Sequence, residues 1–142
     1  MAIANLAETL FTYTLRKADL QNEIMSNQAR KACAVAATAD ANQLLEAGKA
    51  DIRAKYKKLF EENPEEYGEY LKYTEIPEFE EEIAKFTARM QEEIDELAAW
   101  ETNIDNEQYN LSTELEEVNA YMDSFKQMLT QNIQDDFNYA GN

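Results

Sequence analysis

Along the second half of the chain an apolar residue recurs every seven positions, eight times without a miss: Ile76, Ile83, Met90, Leu97, Ile104, Leu111, Val118 and Phe125. A second line three residues further on gives Phe79, Phe86, Trp100, Tyr121 and Met128. Glu93, Glu107 and Glu114 interrupt that line, and Ile94 and Leu115 stand in one position later. A seven-residue repeat means about 3.5 residues per turn, just below the roughly 3.6 of a straight α-helix, so a helix that carries it winds left-handed around a partner. Few arrangements other than long packed helices satisfy such a pattern.

The partner lies on the same chain. Pro64, Gly68 and Pro77 fall within residues 63–77, and the stretches on either side, 1–62 and 78–140, are proline-free and rich in helix-forming Ala, Leu, Glu, Gln and Lys. The first arm carries a thinner stripe at the same spacing: Ile3, Leu6, Leu10, Tyr13, Leu20 and Ile24, resumed by Leu45, Ile52 and Leu59. Between them Asn27, Lys31, Ala34, Thr38 and Ala41 occupy the seam. With a turn near residue 70, residue i faces roughly 140 − i, which sets Ala39 and Ala41 against Trp100 and Ala34 and Ala36 against Ile104, large against small. Charge agrees, since residues 1–60 hold nine bases and six acids whereas residues 61–142 hold four and twenty-three. Arg53, Lys55, Lys57 and Lys58 then lie beside Glu80, Glu81, Glu82 and Lys85. At the bend, Asn63-Pro64-Glu65-Glu66 reads as a capped helix start, with a short helix over about 64–72, and Pro77 opens the second arm. The expectation is an all-α fold: a long antiparallel two-helix coiled-coil hairpin with a short helix at the bend, one domain over 1–142 with arm 1–62, bend 63–77 and arm 78–140, completed by self-association.

Composition closes several functional classes. The 142 residues carry a net charge of −16, no histidine, one cysteine, three glycines and two prolines. Such a surface repels phosphate, so no nucleic-acid partner is expected. Cys33 alone makes no disulfide, and with no imidazole to activate it, it reads as a small residue at a tight helix contact rather than a nucleophile. Glu80-Glu81-Glu82 and Glu92-Glu93 lack the Glu-x-x-His partners of a di-iron bundle and the glycine of an EF-hand loop, so they read as a solvated acidic face. Tyr56, Tyr67, Tyr70 and Tyr73 cluster about the bend and read as local packing. No catalysis, metal or cofactor is expected. No run approaches the roughly eighteen apolar residues of a membrane span. The N-terminus lacks the basic, then apolar, character of a cleavable signal, so the expected location is the cytoplasm, or outside it by export without a cleaved signal.

One asymmetry points to function. Residues 61–82 hold ten glutamates and one lysine, while residues 1–15 hold a single charged side chain, Glu8. Around that uncharged segment stand Ile3, Leu6, Leu10, Phe11 and Leu15, and the other chain end adds Phe125, Met128, Leu129, Ile133 and Phe137. Leu10 with Phe11, and Met128 with Leu129, cannot all point into one seam, so the surplus needs other cover. These ten residues are the candidate protein-interaction surface. The expected role is a non-enzymatic structural subunit that forms a homo-oligomer or filament through its low-charge end. The alternative is a cytoplasmic coiled-coil adaptor or chaperone-like module that binds a protein partner.

An acidic rod whose uncharged termini meet resembles the helical-hairpin subunits of type III secretion needles and flagellin-like filaments. Asn63-Pro64 is similar to the proline-containing turn of needle subunits, and Ile133-Gln134-Asp135-Asp136-Phe137 is loosely like their ends. The resemblance covers the whole chain in layout, and it implies terminal helices packed inside an assembly with the connecting region outside. It assigns no functional residue.

Overall fold

The computed structural model describes residues 2–141; Met1 and Asn142, the outermost residues of the expected domain, lie outside the described residues. The fold is all-α. Helix α1 runs Ile3–Glu62, a single turn α2 spans Pro64–Tyr67, a 3-10 turn spans Tyr73–Glu75, and helix α3 runs Pro77–Gly141. The chain divides into two compact units, one of Met1–Lys31 with Asn103–Asn142 and the other of Ala32–Thr102. In each unit a stretch of α1 packs against a stretch of α3.

The two long helices stop where their sequence forces them to. Asn63 precedes Pro64, a position where the proline ring disfavours the α conformation, and it adopts φ −126°, ψ 61°. The expected N-cap does not form: the Asn63 amide Nδ2 turns back and donates to the Leu59 carbonyl at 3.0 Å, alongside the Asn63 backbone N–H at 3.1 Å. Asn63 therefore closes α1 rather than opening α2. The expected helix over 64–72 is a four-residue turn: Gly68 still has helical dihedrals, but the chain is extended by Lys72 (φ −139°, ψ 152°). The Glu75 carboxylate accepts the Leu71 backbone N–H at 2.9 Å across this segment. Ile76, again the residue before a proline, is extended, and its carbonyl accepts the Phe79 and Glu80 N–H groups that begin α3. Glu78 and Glu80 sit in that first turn, where the helix dipole favours negative charge.

In the first unit Leu20, Leu111, Val118 and Met122 form the core, with Leu10, Tyr13, Ile24 and Leu115 packed against it. Tyr13 stacks on both Tyr121 and Phe125, ring centroids 5.6 Å apart in each case. In the second unit Tyr56, Ile76 and Phe79 form the core beneath Ile52, Leu59, Tyr67, Tyr70 and Tyr73. Phe79 takes Tyr56 and Tyr73 edge-on at 5.5 and 5.4 Å. Such aromatic pairs add about 0.5–1.5 kcal/mol each beyond their buried area.

The eight-fold line on α3 is the buried one: Ile76, Met90, Ile104, Leu111 and Val118 are buried, and Ile83, Leu97 and Phe125 half-buried. The second line departs from expectation. Beyond Met90 it runs one residue later, through Ile94, Glu101, Gln108, Leu115, Met122 and Leu129, all buried or half-buried. Trp100 is consequently 41% exposed, where the expected match with Ala39 and Ala41 called for burial, and Tyr121 and Met128 are exposed as well. The cause is an extra four-residue step, Phe86–Met90–Ile94, in an otherwise alternating three-four pattern. The half-buried and buried positions Gly48, Ile52 and Tyr56 make the same double step on α1. An inserted step of this kind locally unwinds a helix pair, and both helices take it within the second unit.

Register also differs from symmetry about residue 70. Asn27 meets Gln108, and Tyr56 meets Phe79, so partners lie about one helical turn nearer the bend on α3 than 140 − i. Of the expected charge cluster, Lys55 reaches Glu82 at 3.0 Å, whereas Glu81 pairs with Lys85 one turn along its own helix at 2.7 Å. In the first unit the cross-helix pairs are Arg16–Glu114 at 2.6 Å, Lys31–Asp105 at 3.0 Å and Arg30–Glu107 at 3.6 Å.

Candidate functional site

The ten candidate residues all belong to the first unit and divide by burial. Leu6 is fully buried, and Leu10 packs on the core. Phe125 is half-buried on Tyr13, and Ile3 and Leu129 are half-buried too. These five hold the unit together or border its seam. Phe11 and Leu15 are 62% and 53% exposed, and Met128, Ile133 and Phe137 are exposed on α3. The split follows from helix geometry: Leu6, Leu10 and Tyr13 recur at three-four spacing and share a face, whereas Phe11 lies about 100° round from Leu10.

Sequence reasoning missed Met25, 67% exposed on α1, and Tyr109, exposed on α3. The signal for Met25 was present, since it directly follows the seam residue Ile24 and so must point away. In the second unit Cys33 is exposed rather than held in a tight helix contact, because the seam uses its neighbour Ala34 instead.

Polar groups inside each unit are engaged in structure. Asn27 is 1% exposed; its Nδ2 donates to the Ile104 carbonyl at 3.0 Å and to Gln108 Oε1 at 3.1 Å. Its Oδ1 is buried with no hydrogen-bond partner among the described residues. In the second unit the Tyr56 hydroxyl donates to Glu82 Oε2 at 2.6 Å, and Lys55 Nζ donates to both carboxylate oxygens. That bond, burial and the adjacent negative charge push the Tyr56 hydroxyl up to about 12. The same two donors, Tyr56 first, hold the Glu82 carboxyl below its usual range. The Arg16 guanidinium is raised chiefly by its hydrogen bond to Glu114.

Among the described residues no group of three or more acidic or cysteine side chains is arranged to hold a metal ion. Nor is any described helix long and apolar enough to cross a membrane. What the arrangement offers is surface: large apolar side chains standing in water on a unit whose core is already closed. No family model, curated protein or solved structure matches the chain.

Proposed function

We propose that this protein is a non-enzymatic assembly subunit, a single-domain antiparallel coiled-coil hairpin that self-associates into an oligomer or filament through the apolar surface of its low-charge end. The observation that carries the reading is the exposure of Phe11, Leu15, Ile133 and Phe137 after α1 and α3 have packed on each other. Covering a side chain of this size gains about 1.5–3 kcal/mol, so several such side chains left in solvent at one low-charge end favour association there. The acidic stretch 61–82 keeps its charge in solvent and opposes association there. The layout resemblance to needle and flagellin-like subunits favours the same reading. Light scattering over a concentration series, with negative-stain microscopy of the concentrated sample, tests it. The mass rises with concentration and discrete or filamentous particles form; a monomer at every concentration, without binding of a hydrophobe-sensing dye, refutes it.

One observation favours the adaptor reading: Leu71, 87% exposed, stands within the acidic bend segment. Under that reading the protein keeps one small mass at all concentrations, and Leu71→Glu abolishes binding of its protein partner.

A further inference from the structure

Helix α1 carries a second seam. Phe11, Leu15, Ala18, Asn22, Met25 and Ala29 follow one another at steps of four, three, four, three and four, the same alternation that the buried face uses. All six are exposed. Their mean direction lies about 150° round the helix from the seam with α3, at roughly 100° per residue. Charged residues make up 30% of the chain and belong on outward faces, yet none occupies these six positions. The flanking columns are nearly as neutral: Thr14, Gln21 and Gln28 on one side, Thr12, Asp19 and Ser26 on the other. Thr12 and Thr14 donate their hydroxyl protons to the Glu8 and Leu10 carbonyls, at 3.1 and 2.9 Å, so these side chains are satisfied within their own helix.

From this we infer that the stripe is the docking face for a second copy of the same chain, set antiparallel about a two-fold axis. The inference rests on the self-assembly reading and deepens it by naming the interface. Two features select the occupant. A chain of net charge −16 meets its own copy with least repulsion where both faces are uncharged. The stripe is also self-complementary in size: reversed on itself, Phe11 falls opposite Ala29, Leu15 opposite Met25, and Ala18 opposite Asn22. A two-fold interface requires this, because residue i meets j and j meets i. The stripe is about 27 Å long, a helix–helix contact of some five turns. Asp19, the one charged flank residue, meets its own copy near the axis.

Sedimentation equilibrium on the full chain tests the proposal, with circular dichroism confirming that each variant keeps its helices. Leu15→Glu and Met25→Glu each weaken self-association by at least about tenfold, since each buries two carboxylates per dimer. Asp19→Asn strengthens it, and Phe137→Glu, off the stripe, leaves this dimerisation step unchanged. In a Cys33→Ser background, a chain carrying Ala18→Cys and one carrying Asn22→Cys cross-link to each other on mixing in preference to themselves. If the wild type assembles but Leu15→Glu and Met25→Glu assemble equally well, this interface is wrong while the assembly reading stands. Self-cross-linking in preference to mixed cross-linking overturns the antiparallel arrangement. A wild type that never leaves the monomer overturns both the interface and the assembly reading.

Discussion

Asn27 reaches from α1 to the main chain of α3, its side-chain amide donating to the Ile104 carbonyl at 3.0 Å at the edge of the first unit's seam. The amide's second proton goes to Gln108 Oε1, and Oδ1 is left buried without a partner among the described residues, at a cost of about 1–3 kcal/mol. A buried amide at a seam position specifies how two helices align and gives up stability for it. Asn27→Leu is therefore expected to raise the midpoint of thermal or urea unfolding while loosening the alignment of Arg16 with Glu114. Asn27→Asp loses both donated bonds and buries a charge against a carbonyl, which should cost about 3 kcal/mol or more near neutral pH and less in acid, where the carboxyl is protonated. Urea titrations followed by circular dichroism at two pH values check both variants.

Gly48 and Phe86 make a second, local prediction. A Cβ on Gly48 would collide with the tip of the Phe86 ring, which Arg89 covers with its guanidinium 5.7 Å from the centroid. Gly→Ala in a helix interior ordinarily gains about 1 kcal/mol, but displacing a packed ring costs about 1–3 kcal/mol. Gly48→Ala should thus be destabilising in the wild type and stabilising by about 1 kcal/mol in a Phe86→Ala background. A double-mutant cycle in urea reads the sign change directly.

The Tyr56–Glu82 pair predicts behaviour at both ends of the pH scale. Tyr56 holds its proton more tightly folded than unfolded, so its contribution is complete below its ordinary value near 10 and is lost as pH rises toward about 12. Glu82, held below its usual range, contributes above that range and loses its contribution as pH falls through the depressed value. Tyr56→Phe should flatten the alkaline decline in unfolding temperature relative to wild type. It should also move the Glu82 carboxyl back toward its usual value, measurable by NMR titration.

Salt should stabilise this protein. The cross-helix ion pairs are largely exposed and worth at most about 1 kcal/mol each, whereas residues 61–142 set twenty-three acids against four bases. Screening the second effect outweighs losing the first. The unfolding temperature is expected to rise between low salt and about 0.5 M NaCl, where the screening length falls to a few ångströms.

The helical character of the chain and the buried line on α3 were legible because an eight-fold apolar repeat constrains a helix face strongly. Other features were less so for identifiable reasons. The phase of the second α3 line was ambiguous past Met90, since adjacent positions such as Glu93 and Ile94, or Tyr121 and Met122, both lie near the seam and only the partner decides between them. Asn63-Pro64-Glu65-Glu66 matches a helix start in residue type, yet the Leu59 carbonyl at the end of α1 captured both the backbone N–H and the side-chain amide of the asparagine. Of the candidate surface, Phe11 and Leu15 could be separated from Leu6 and Leu10 by spacing alone. Met25 escaped the pattern because the thin stripe of α1 marks only the face shared with α3.

Hydrogen exchange followed by mass spectrometry, on the same wild-type chain in dilute and concentrated solution, tests the central claim most directly because it locates the contact as well as detecting it. The account expects exchange within residues 2–29 and 122–139 to slow on concentration while residues 61–82 stay unchanged. Identical exchange of the terminal segments at both concentrations, or slowing confined to the acidic bend, would contradict it.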